Sequence, residues 1–86
     1  MEYLLSKRFE KEFSKLPSGV KRKVIAALER FVQDHEHPSL RAHALAGTWR
    51  DHWSIDVTGD YRAVYTHVTE DVVRFVAIGT HAQLYG

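Results

Sequence analysis

Two imidazoles, a guanidinium and a carboxylate stand at spacings that a small sheet can bring together: His43, Asp56, Arg62 and His81. Histidine titrates near neutral pH, so one ring can take a proton while another gives one. An arginine fork can hold two phosphate oxygens and stabilise the charge that builds on them. RNA carries its own nucleophile, the 2′-OH beside the phosphorus. A base, an acid and a cationic clamp then suffice, and neither a cofactor nor a metal is required. The set points to phosphoryl transfer on a ribose-phosphate chain, with the assignment of acid and base between His43 and His81 left open. The remaining histidines fit this chemistry less well. His35 and His37, in "HEHP", could ligate a metal, but two loop histidines without a firm third partner read as solvent-exposed side chains. His67 flanks a turn and reads as structural.

The elements that must position these groups follow from the hydrophobic period. From Thr48 the period is two: Trp53, Ile55 and Val57 take one side of a strand beginning at Trp49, and Arg50, His52, Ser54 and Asp56 take the other. "TGDY" (Thr58–Tyr61) turns the chain, and "YRAVYTHV" forms the second strand, with Tyr61, Ala63 and Tyr65 buried and Arg62 on the open face beside Asp56. "TED" makes a second turn, and "VVRFVAIG" is a third strand, apolar on both faces and ended by Gly79. Arg50, His52 and Ser54, with Tyr85 at the end of the face, are the expected substrate contacts. Taken without the rest, an Asp56–Arg62 pair on a solvated face would contribute only a few tenths to about 1 kcal/mol. The tail "GTHAQLYG" changes the weighting. A loose tail does not need a histidine followed by two bulky apolar groups. His81 is expected at the rim of the same face, with Leu84 and Tyr85 packed down to hold it. His43, in the loop entering the first strand, approaches from the side. Trp49 and Trp53 read as core or rim packing.

Upstream lie the parts that cover the sheet. "EYLL" (Glu2–Leu5) is a short apolar strand or a helix lead-in. Ser6 caps a helix bearing the stripe Phe9, Phe13, Leu16. "LPSG" breaks it, and Ser18 is positioned to cap a second helix with Val20, Val24, Ile25, Leu28, Phe31 and Val32 on one side, ending near Asp34. Two amphipathic helices joined by a tight break read as an αα-hairpin. The expected fold is α+β: a short N-terminal strand, the helical hairpin, and a three-stranded antiparallel meander with helices on one sheet face and a C-terminal tail or short helix. Residues 1–86 are expected to form a single domain.

Composition narrows the classes further. With 44% hydrophobic and 27% charged residues the chain suits a globule, and no apolar run nears the roughly 18 residues of a membrane span. The charged N-terminus is unlike a signal peptide, so a cytoplasmic location is expected. There is no cysteine, hence no disulfide framework or thiolate metal site. Residues 1–30 hold eight Lys/Arg against four Glu, whereas residues 31–86 hold four Arg against seven Asp/Glu. A basic half can meet nucleic acid or an acidic protein, or simply solubilise helix surfaces.

The element order, with "AHALAGTW" (Ala42–Trp49), "DYRAVY" (Asp60–Tyr65) and "GTHAQLY" (Gly79–Tyr85), resembles the RelE/ParE superfamily of small toxins over nearly the whole chain. The pattern is most similar to the YafQ-type branch. The resemblance implies a type II toxin, a ribosome-associated mRNA endoribonuclease held inactive by a cognate antitoxin, with operator DNA met only through that antitoxin and no membrane partner. By position it implies catalytic roles for His43, His81 and Asp60, transition-state stabilisation by Arg62, and the C-terminal aromatic position for Tyr85. It implies rRNA or antitoxin contacts for Lys7, Arg8, Lys11, Lys15, Lys21, Arg22 and Lys23. Two departures stand out. RelE-type members carry lysines where this chain has Ser54 and Asp56, and the YafQ branch has a catalytic histidine at the position of Asp56. Asp56 could serve as a base, orient His81, or mark weakened catalysis. A ParE-like gyrase inhibitor that cuts no RNA, and a degenerate toxin acting as an antitoxin-bound regulator, remain the alternatives at this stage.

Overall fold

The computed structural model describes all 86 residues. In chain order the elements are β1 (Glu2–Leu5), α1 (Lys7–Ser14), α2 (Ser18–Gln33), β2 (His43–Ala44), β3 (Trp53–Asp56), β4 (Tyr61–His67), β5 (Val72–Thr80) and α3 (His81–Tyr85), with short 3₁₀ turns at Pro38–Leu40 and Gly47–Trp49. The strands form one sheet in the order β1-β5-β4-β3-β2. β1 runs parallel to β5, and the other pairings are antiparallel. The fold is the α+β arrangement expected, including the N-terminal strand, which joins the sheet edge parallel to β5. The one difference in the sheet is that the loop before the meander contributes a further two-residue strand, β2.

Local chemistry accounts for the helix ends. The Ser6 hydroxyl accepts from Phe9 N at 3.0 Å, and its own proton goes to Val76 O at 3.1 Å, so one side chain caps α1 and ties it to β5. Beyond the end of β1, the exposed edge of β5 is met by α1: Ile78 N donates to Glu12 Oε1 at 3.1 Å. At α2 the expected cap is displaced by one residue. Pro17 occupies the N-cap position without a side-chain bond, and Ser18 is the first helical residue. The buried stripe of α2 is Val24, Ala27, Leu28 and Phe31, while Ile25 and Val32 fall at its margin and are exposed.

The main core lies between α1, α2 and one sheet face. Phe9, Val24, Leu28 and Phe31 meet Ile55, Ala63, Tyr65, Val73, Phe75 and Ile78, with Leu40 of the Pro38–Leu40 turn joining them. Phe31 is the hub of the aromatic packing, with its ring 5.1 Å from Tyr65 and 5.2 Å from Phe75. A β-bulge sets the phase of β5. Tyr65 pairs with Phe75 but Val64 pairs with Ala77, so Val76 is the extra residue. The bulge returns Ile78 to the core face and puts Ala77 and Gly79 on the opposite face.

That opposite face departs from the expected open surface. Ser54, Val64 and Ala77 lie side by side across β3, β4 and β5, and all three are fully buried. The loop between β2 and β3 crosses over them. Thr66 Oγ1 donates to Asp51 O at 3.0 Å, Trp49 Nε1 donates to Leu84 O at 2.9 Å, and the Arg8 guanidinium sits 5.6 Å from the Trp49 ring. The first hairpin strand therefore does not begin at Trp49. Residues 47–52 form a folded loop with Gly47 and Asp51 at positive φ, and only Trp53–Asp56 is strand.

Candidate active site

Where the covering loop stops, the end of this face remains open as a groove lined by Arg41, His43, Asp56, Arg62, His81 and Tyr85. The six side chains come from four segments of the chain. Asp56 and Arg62 are cross-strand partners at the β3–β4 turn, and Arg62 is in turn level with Gly79 of β5. His43 comes from β2, paired with Ser54. His81 and Tyr85 come from α3, which follows β5 directly.

Asp56 is held between two arginines, with Oδ1 3.0 Å from Arg62 Nε and Oδ2 3.6 Å from Arg41 Nε. The Arg62 guanidinium also closes the turn: Nη1 donates to Thr58 O at 2.9 Å and Tyr61 O at 3.1 Å, and Nη2 donates to Gly59 O at 3.3 Å. With two guanidiniums against one carboxylate, the groove is cationic, and each protonated imidazole adds to that. His43 Nδ1 lies 2.9 Å from Arg41 O. A carbonyl can only accept, so Nδ1 carries the proton, and a neutral ring keeps its lone pair on Nε2. Nε2 stands 3.5 Å from Ser54 Oγ. The Tyr85 hydroxyl is buried with no partner in the protein.

The terminal helix is fastened from several sides. The Thr80 hydroxyl accepts from Gln83 N at 3.2 Å, and Gln83 Oε1 accepts from Thr80 N at 2.8 Å, a reciprocal capping box. His81 N donates to Asp60 O at 3.0 Å, Trp49 holds the Leu84 carbonyl, and the His81 ring packs edge-on to Tyr85 at 4.7 Å. Gly79 does not end β5, which continues to Thr80. Its role is space: a Cβ there would stand 2.9 Å from Gln83 Oε1 and push against the capping box.

Several expected residues lie elsewhere. Ser54 is fully buried beneath the loop and makes only the long contact to His43. Arg50 and His52 are in the covering loop, not on a strand face; His52 Nδ1 is 3.0 Å from the Arg50 carbonyl, and its ring packs on Trp49. Asp60 is exposed at the turn and touches the site through its backbone carbonyl. Among the helix cations, Lys7, Arg8, Lys11, Lys15, Arg22 and Lys23 are exposed, while Lys21 is half-buried over the Phe13 ring. His37 accepts from Ser39 N at 3.1 Å as the cap of a 3₁₀ turn, and His35 packs on Phe31. No group of three His, Cys, Asp or Glu side chains is placed to hold a metal ion. Arg41 is the lining residue that sequence reasoning missed. Its only sequence signal is its place two residues ahead of His43, in a loop without periodicity.

A helical hairpin on one face of a mixed sheet, a short terminal helix and a cationic groove at the sheet's end are the features of the RelE/ParE-like fold. The fold is similar to a YoeB/ParE toxin from Agrobacterium tumefaciens (TM-score 0.74, 13% identity, covering 94% of this chain and 99% of that one). The sequence profile of the bacterial toxin YafQ of type II toxin-antitoxin systems matches residues 1–86, and the chain belongs to that family. It is similar in structure to YafQ from E. coli BL21(DE3), with TM-score 0.81, 21% identity and coverage of 99% and 98%. It is also similar to YafQ in the E. coli DinJ–YafQ toxin-antitoxin complex, with TM-score 0.78, 22% identity and coverage of 99% and 97%. No curated protein gives a sequence match. No helix is long and apolar enough to cross a membrane.

Proposed function

We propose that this toxin is a metal-independent endoribonuclease that cuts mRNA in the ribosomal A site and is silenced by a cognate antitoxin. One observation carries the reading: His43, His81 and two arginines, from three separate segments of the chain, line one open groove. The His43 Nε2 lone pair takes the proton of the 2′-OH, and the 2′-oxygen attacks the adjacent phosphorus in line. The P–O5′ bond breaks, and His81 protonates the departing 5′-oxygen. The products are a 2′,3′-cyclic phosphate and a 5′-OH. The guanidiniums offset the charge on the phosphoryl oxygens. Asp56 orients the arginines, and Asp60 holds the start of α3 through its carbonyl. Tyr85 lines the groove with its ring packed edge-on to His81, which steadies the imidazole.

The exposed cations of α1 and α2 supply contacts to rRNA or to the antitoxin. The antitoxin partner is supported by the family and by the DinJ-bound relative; operator DNA would be met only through it, in the cytoplasm. The test is cell-free translation with primer extension. Wild type should stop translation and leave mapped cuts, and His81→Ala should lower the cutting rate about 10²–10⁴-fold with unchanged folding. Full activity in His81→Ala, or inhibition of DNA supercoiling by a wild type that leaves mRNA intact, would overturn the proposal.

A further inference from the structure

The groove holds one arginine more than the motifs account for, and the two arginines are not equivalent. Arg62 is only 18% exposed, and three of its guanidinium hydrogens go to the carbonyls of Thr58, Tyr61 and Gly59. It cannot turn to grip a phosphate with both arms without opening the hairpin turn, and it acts as a fixed positive charge. Arg41 is 77% exposed, and its guanidinium makes no hydrogen bond; its nearest acceptor, Asp56 Oδ2, is 3.6 Å away, beyond the range of an N–H···O bond. All five of its donors are free.

The backbone beneath Arg41 is nevertheless fixed. Arg41 has φ 47°, a left-handed conformation uncommon for a residue with a Cβ. Its N–H donates to Pro38 O at 3.2 Å, and its carbonyl meets His43 Nδ1 at 2.9 Å. The stem of the free fork and the tautomer of His43 are thus set by the backbone of the same residue. Asp56, meanwhile, puts a negative charge where an anionic substrate would otherwise sit beside both arginines.

We propose that Arg41 is the residue that captures the RNA phosphodiester, resting on Asp56 in the free protein and exchanging that carboxylate for a phosphate when the strand enters. The inference rests on the ribonuclease reading and assigns the clamp within it. Capture is an exchange of one anion for another on an exposed guanidinium, a contact that water already weakens. Arg62 stays in place, and its ion pair keeps Asp56 from following Arg41.

The test is the salt dependence of binding, measured by fluorescence anisotropy of a labelled single-stranded DNA oligonucleotide that lacks the 2′-OH and cannot be cut. Each neutralised phosphate on a single strand contributes about 0.7 to the slope of log K against log salt. Arg41→Gln should lower that slope by about 0.7 and weaken binding several-fold at low salt, with an unchanged melting curve. Asp56→Asn should strengthen binding, because the competing anion is gone. A companion assay follows cutting of mRNA in a translation extract. Cutting by wild type together with an unshifted slope in Arg41→Gln rejects the assignment and leaves the nuclease standing. The reduced slope without cutting by wild type supports the Arg41 clamp and rejects the nuclease. A wild type that neither binds nor cuts overturns both.

Discussion

At the residue scale, the site is a set of side chains whose partners decide what each can do. His43 has its Nδ1 proton committed to a carbonyl, which leaves Nε2 as the basic atom. Arg62 is tied to the turn, whereas Arg41 is not. Tyr85 presents the opposite case, a buried hydroxyl with nothing to bond. Leaving such a group unsatisfied costs about 1–3 kcal/mol. Tyr85→Phe should therefore keep or raise the melting temperature and leave KM for RNA unchanged; a fall in stability would show that the hydroxyl has a bonding partner. Reading the sequence alone finds Asp56 and Arg62 from period-two alternation, His81 from the terminal motif, and His43 from its place in the loop entering the first strand. It mislocates Ser54, Arg50 and His52. Alternation says which side a residue takes, but not that a loop will fold over that side.

At the element scale, three devices position the groove at the end of the sheet. The Val76 bulge shifts the phase of β5, so Gly79 lies level with Arg62 and α3 emerges beside it. The capping box starts α3, and Trp49 holds its last turn through the Leu84 carbonyl. Trp49→Phe should cost about 0.5–1.5 kcal/mol for the lost bond. Its cutting rate should also fall, because His81 is then carried on a looser helix; retention of full rate at lower stability would uncouple that anchor from the chemistry. The helices, the hairpin and the third strand are legible from periodicity and breakers. The bulge is not, because an apolar run such as "VVRFVAIG" gives no period to break. Nor is β2, since two residues carry no alternation. The displaced cap at Ser18 shows proline taking the boundary position ahead of a good capping side chain.

At the scale of the whole molecule, one core and one cationic groove share the sheet, facing opposite ways. Stability rests on the aromatic core, where burial pushes the Tyr65 hydroxyl above its ordinary value of 10.0. The folded state thus favours the neutral phenol. This contribution is fully present below the unfolded value and is lost as pH rises through the higher folded one. Melting temperature should consequently fall above about pH 10, and Tyr65→Phe should flatten that fall. An identical alkaline slope in the variant would assign the loss to other groups. In the proposed function the other face carries the chemistry, and the attacking group belongs to the RNA. The direct measurement is the cutting of one mRNA with a single 2′-deoxy nucleotide placed 5′ to the mapped scissile phosphate. The substituted message should stay intact at that phosphate while the unmodified one is cut. Equal cutting of both would show that the nucleophile is not the 2′-OH and would contradict the mechanism.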